Sequence, residues 1–201
     1  MSISGSYMDR QKDEKKAQLI QTAVETIRKQ GIRKTTLEDI AAASGMAPPS
    51  MYYYFQNKKG ILRAAISAFF DCAFDEVEKA VELSTTPEEK LISTWKVLFF
   101  EVQRSGFLLS RDGGVRSQIM DLSDEFASDF NTRYRALVQN ILSEGNKQGV
   151  FDVEDVEATG ALLSTGIWCT LLNPVTQARS DITEPWLHEW GKLLMSGLRK
   201  R

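Results

Sequence analysis

The chain has 201 residues, 42% of them hydrophobic and 26% charged, enough for one large domain or two small ones with a real core. Its two cysteines, Cys72 and Cys169, are far apart and share no paired spacing, which argues against a disulfide framework or a zinc site and suits a reducing cytoplasm. The formal net charge of −2 conceals an asymmetry: residues 9–63 hold 11 Lys/Arg against 6 Asp/Glu, while residues 64–201 hold 14 against 21.

Residues 1–9 read as a disordered lead-in, and the first twenty residues are too polar for a secretory leader. A helix is predicted from about Arg10 to Gln30, with Ala17, Ile20, Ala23, Val24 and Ile27 on one face and Gly31 ending it. Thr35 and Thr36 precede Glu38 and Asp39 at capping-box spacing in two overlapping registers, so a second helix should span 37–44 and bury Leu37, Ile40 and Ala41. Gly45 permits a sharp turn, and Pro48 and Pro49 suit the opening of a third helix, 48–54. Met51, Tyr52 and Phe55 should return to the core, leaving Pro48, Pro49, Ser50, Tyr53 and Tyr54 toward solvent. Two short helices around a turn, followed by aromatics and Lys58-Lys59, are a means of presenting one helix to a DNA major groove while holding the phosphates. The basic first third fits such a domain, although clustering on solvated helix faces would produce the same charge count.

A fourth helix should run from Lys58 to about Leu83, spanning about 39 Å. Thr86-Pro87-Glu88-Glu89 opens a fifth, to about Arg104. Gly106, Gly113 and Gly114 mark a loop with a short helix near Val115 to Met120, and a longer helix follows from Ser123 to about Lys147. Asp152 is expected to cap the next helix, which enters the uncharged run Ala158 to Ala178, and Thr183 a last one through Leu198. That run is too polar for a membrane span. No strand-like alternation occurs, so the expected fold is all-α, with a helix-turn-helix domain over 10–57 and a helical bundle over 58–201.

The order Ile40-Ala41, Gly45, Tyr52, Phe55, Lys58, after a long amphipathic helix and a Thr-Thr cap, resembles the N-terminal domain of the tetracycline-repressor (TetR) family over about residues 12–65. The resemblance implies a three-helix DNA-binding domain joined by a long helix to a helical ligand-binding and dimerisation domain. By position it implies phosphate contacts for Thr36, Tyr52, Tyr54 and Lys58, and base or groove-wall contacts for Pro49, Ser50 and Tyr53. Two residues depart from the pattern: Ala47 stands where a serine cap is common, and Pro48 where a basic or polar residue often reaches a base. Direct readout would then rest on the Ser50 hydroxyl and on proline contacts with thymine methyls, with DNA shape supplying more of the specificity.

In the second domain Trp95, Phe99, Gln103, Phe107, Phe126, Phe130, Tyr134, Ile167, Trp168 and Leu171 lie on four expected helices. Packing in a bundle core accounts for each of them; the resemblance adds that such a core opens into a cavity for a small hydrophobic or amphipathic effector. Gly160, Ser164, Thr165 and Cys169, with Trp186, Trp190, Leu193 and Leu194, are implied to form a homodimer interface, a pattern that burial within one chain would also explain. The lone histidine, His188, has no converging polar partner, so no enzyme, cofactor or metal is expected. The resulting expectation is a cytoplasmic, homodimeric regulator, a repressor, that binds a pseudo-palindromic operator and is released by an effector. The competing reading is a soluble carrier or sensor of hydrophobic molecules with no DNA role.

Overall fold

The computed structural model describes the backbone of residues 3–30, 34–105, 114–171 and 183–199, with side chains except at 3–9, 103, 105, 114–129, 183, 184 and 186. Within them run α1 (Ile3–Gln30), α2 (Leu37–Ala43), α3 (Pro48–Tyr54), α4 (Lys58–Leu83), α5 (Pro87–Ser105), α6 (Gly114–Lys147), α7 (Val156–Leu171) and α8 (Thr183–Leu198). Extended pairing among the described residues is limited to one antiparallel bridge, Phe151 with Arg199. The fold is all-α. The chain divides into two compact units, 1–70 and 71–201.

In the first unit α1 buries Leu19, Ala23 and Ile27, a row at four-residue spacing, together with Val24. Ala17 is exposed and Ile20 only half-buried, so the buried stripe runs through Leu19 rather than through those two. The helix starts at Ile3 instead of near Arg10. Polar residues there extend a helix already nucleated by the packed Leu19–Ile27 stretch, and extension needs no second nucleus.

Of the two capping registers, Thr36 with Asp39 forms: the Asp39 N–H donates to Thr36 Oγ1 at 3.0 Å and the Thr36 N–H to Asp39 Oδ2 at 2.8 Å. Thr35 is fully buried. Two crossed bonds end α2, from Gly45 N–H to the Ala42 carbonyl and from Met46 N–H to the Ala41 carbonyl. They require the left-handed backbone that Gly45 adopts at φ +66°. Proline begins α3, and Met51 (0% exposed) and Phe55 (4%) anchor it. Burying a side chain of that size contributes about 1.5–3 kcal/mol. The Asn57 side chain caps α4 by accepting from Gly60 N–H at 2.9 Å, a role the sequence reading does not include.

In the second unit the predicted box at Thr86 forms, and Thr85 joins it by donating its hydroxyl to Glu89 at 2.8 Å. These bonds, the Thr85 hydroxyl first, hold the Glu89 carboxyl below its usual range. Residues 114–147 form one continuous helix, so the expected break before Ser123 is absent; no glycine or proline lies between Val115 and Glu144 to make one. The cap of α7 is Asp155, whose carboxylate accepts from Ala158 N–H at 2.8 Å. Asp152 is engaged elsewhere, its N–H donating to the Leu198 carbonyl. Lys90 clamps both Glu144 oxygens at 2.8 and 2.9 Å, joining α5 to α6. Trp190 of α8 lies edge-on to Trp95 of α5 at 5.0 Å.

Candidate nucleic-acid interface

The turn, its caps and the Met51–Phe55 anchor determine which face of α3 is free. Met51 and Phe55 are four residues apart and point inward together; residues between them swing outward by about 100° per step. Tyr52 is therefore 53% exposed, not a core residue as expected from its aromatic character, and Tyr53 is 66% exposed. Pro48, Pro49 and Ser50 are exposed as well, while Tyr54 and Lys58 are half-buried. Tyr53 and Tyr54 meet edge to face at 5.0 Å. Thr36 is exposed, but its hydroxyl already serves the α2 cap. No side chain caps α3 at Ala47.

The unit is tied together electrostatically around Asp39. Its carboxylate is held below the ordinary range by hydrogen bonds from the Thr36 side chain and backbone, then by the Gln30 amide and the nearby Lys58 charge. The Gln30 Nε2 reaches it at 3.0 Å, so one acid links the end of α1 to the start of α2. From α1, Lys12 sets its ammonium 4.8 Å from the Tyr53 ring centroid, and Lys16 sits 5.9 Å from that of Phe55. Neither lysine stands out in the sequence reading. Their spacing, four residues apart on an amphipathic helix, is the one available hint that they share a face.

Residues 19–65 match the family described as bacterial regulatory proteins, tetR family, a span that contains α2, the turn and α3. The chain carries a TetR-family N-terminal domain. It is a DNA-binding transcriptional regulator and not an enzyme. The HTH-type transcriptional repressor KstR2 of Mycolicibacterium smegmatis is 25% identical over 158 residues, covering 77% of this chain and 76% of that one. The fatty acid metabolism regulator protein of Bacillus subtilis is 32% identical over 82 residues, 41% of this chain and 42% of the relative. Among solved structures, a TetR-family regulator from Pectobacterium atrosepticum shares the fold with TM-score 0.76 at 18% identity, covering 96% of this chain and 97% of that one. The fatty acid degradation regulator FadR from Bacillus halodurans does so with TM-score 0.72 at 24% identity, over 93% and 97%.

The second unit gathers most of the expected pocket residues into an aromatic core. Trp95, Phe99, Phe130, Tyr134, Ile167 and Leu171 are buried and Trp168 half-buried. Phe130 stacks on Tyr134 and receives the edges of Phe74 and Trp168 at 5.9 and 5.3 Å. The buried Tyr134 hydroxyl donates to Thr94 at 3.1 Å, and burial pushes its pKa well up. Phe107 and the side chains of Gln103 and Phe126 lie outside the described residues. A groove of about 710 Å³ between α5 and α8 includes only Trp95 of the ten, beside Lys96, His188, Lys192 and Arg199.

The expected interface residues separate into two groups. Gly160 and Ser164 are buried within the chain: a Cβ on Gly160 would come 2.5 Å from Gln139 Cγ, so the glycine admits α6 rather than a partner. Trp190 and Leu194 are half-buried, and the Trp186 side chain lies outside the described residues. Thr165, Cys169 and Leu193 are exposed, Leu193 to 69%, and Leu162, absent from the expectation, is 73% exposed. No helix among the described residues is long and apolar enough to cross a membrane, and they hold no group of three metal-ligating side chains.

Proposed function

We propose that the protein is a cytoplasmic repressor that binds a pseudo-palindromic operator as a homodimer and is released by a small hydrophobic or amphipathic effector. The observation that carries the reading is the outward face of α3: Tyr52 and Tyr53 stand exposed while Met51 holds the helix in place. Pro48, Pro49, Ser50 and Tyr53 would face bases or the groove wall. Thr36, Tyr52, Tyr54 and Lys58 would engage phosphates, giving a sequence-independent, salt-dependent share of the affinity. Two adjacent tyrosines left mostly in water are better explained by a surface they meet than by the fold they belong to.

Dimerisation would use the exposed residues of the last two helices, Leu162, Thr165, Cys169 and Leu193. The effector would bind in the second unit against the aromatic residues of α5, α6 and α7. Relatives named for fatty acid and ketosteroid regulation support a hydrophobic ligand. An effector that prefers the dimer state with wrongly spaced α3 helices would lower operator affinity by its differential affinity for the two states. Selection of binding sites from random duplexes tests the reading. The expected yield is two inverted half-sites about one helical turn, or a small multiple, apart; enrichment of no sequence, or of one unpaired half-site, contradicts it.

A further inference from the structure

Tyr53 is the most exposed of the three consecutive tyrosines, 66% open to solvent. Two contacts orient it: the edge of Tyr54 at 5.0 Å with planes 89° apart, and the Lys12 ammonium 4.8 Å from its centroid. Lys12 belongs to the N-terminal half of α1, about two helical turns before Leu19, the first of the buried row Leu19, Ala23 and Ile27. One turn further along, Lys16 makes the comparable approach to Phe55, but Phe55 is 4% exposed and is held by its own burial. The same α1 face thus meets one ring that needs no support and one that has little else.

We propose that Lys12 is a specificity-determining residue that acts by holding the Tyr53 ring in the orientation presented to the bases. The proposal rests on the reading that the outer face of α3 enters the major groove. A cation over one face of the ring leaves its edge and hydroxyl free to meet a base edge or a thymine methyl. Without that cation an exposed tyrosine samples several rotamers, and ordering one of them at binding reduces the advantage of the preferred sequence. Lys12 lines a shallow notch of about 450 Å³ with Gln11, Glu14, Lys15, Gln18, Tyr53 and Tyr54. Glu14 is the acid in that notch, and no ion pair joins it to Lys12 among the described residues. The ammonium is therefore left with the ring as its contact there.

The test compares site selection and salt-dependent affinity for the full chain and for Lys12→Gln, Lys12→Arg, Lys16→Gln and Tyr53→Leu. Lys12→Gln is expected to flatten base preference about two- to fivefold, the range of a solvent-exposed cation–π contact, at the positions that Tyr53→Leu also disturbs. Arginine stacks on aromatic rings too, so Lys12→Arg should retain the preference. Lys16→Gln should leave it unchanged. In the Tyr53→Leu background Lys12→Gln should add no further loss of preference. The proposal is overturned if Lys12→Gln weakens all sequences equally, lowers the salt slope, and does so with Tyr53→Leu as well; Lys12 is then a phosphate contact only. It also falls if the wild type selects a site but Tyr53→Leu keeps the same preference, because Tyr53 then reads nothing. Failure of the wild type to select any site is a different result, which overturns the reading of α3 itself. Lys12 is exposed, so equal melting temperatures across its variants are expected and confirm that binding, not folding, is compared.

Discussion

Replacing Lys58 by Ala isolates one proposed phosphate contact with little disturbance of the fold. Lys58 is the first residue of α4, half-buried, and the cap of that helix belongs to Asn57, whose bond to Gly60 the substitution leaves in place. Each phosphate neutralised on duplex DNA contributes about 0.9 to the slope of log K against log salt. One contact from each of two protomers therefore makes about 1.8, and the slope of the variant should be shallower by that amount. Between about 50 and about 200 mM salt the wild-type advantage should then shrink roughly twelvefold. The assay is fluorescence anisotropy on a selected duplex and on an unrelated one. The loss should be the same on both, because a phosphate carries no sequence information. Parallel salt slopes for the two proteins would refute the assignment; a change of about 0.9 would mean that only one protomer makes the contact.

Other consequences follow from the same structure. Asp39 has its folded pKa lowered from 3.8, so the stability it lends to the α2 cap is complete above that value and lost as pH falls through the lower one. Wild type and Asp39→Asn should differ by a constant melting-temperature gap from about pH 8 to about pH 5 that closes only in stronger acid; a gap that closes near neutrality contradicts the assignment. Tyr134→Phe deletes one buried hydrogen bond and should cost about 1 kcal/mol in denaturant unfolding. Thr94→Val should cost more, because it leaves the Tyr134 donor without its acceptor. Leu193→Asp should shift a dimer toward monomer in sedimentation velocity while leaving the unfolding midpoint near the wild-type value, since Leu193 is 69% exposed; an unchanged dimer places the interface elsewhere.

What could be read in advance depended on how local the physics is. Thr36 with Asp39, the turn at Gly45 and the prolines that open α3 are each settled by neighbours within a few residues, and they occur where the residues indicate. The limits of α4 are local in the same sense, set by Lys58 after the Asn57 cap and by Thr86-Pro87 beyond its end. The aromatic ring of Tyr52 suggests burial, but the four-residue spacing of Met51 and Phe55 fixes the inward direction and turns Tyr52 away. Ser123 looked like a helix start but sits inside α6, since a capping residue without a nearby breaker does not end a helix. At α7 two aspartates competed. The loop decided for Asp155, because the side chain of Asn146 bonds both the N–H and the carbonyl of Val153 and so shapes the chain between them. Contacts distant in sequence left no comparable trace: Gly160 against Gln139, and Lys12 over Tyr53 across 41 positions, emerge only once the helices pack.

The most direct measurement of the central claim is photo-crosslinking from p-benzoylphenylalanine placed at position 53 and, as a reference, at position 83, where Leu83 is 85% exposed. With a selected duplex, position 53 should crosslink to bases within each half-site and position 83 to none. Crosslinks from position 83 but not from 53, or base-independent labelling from 53 in the presence of tight binding, would show that DNA is held by a different surface.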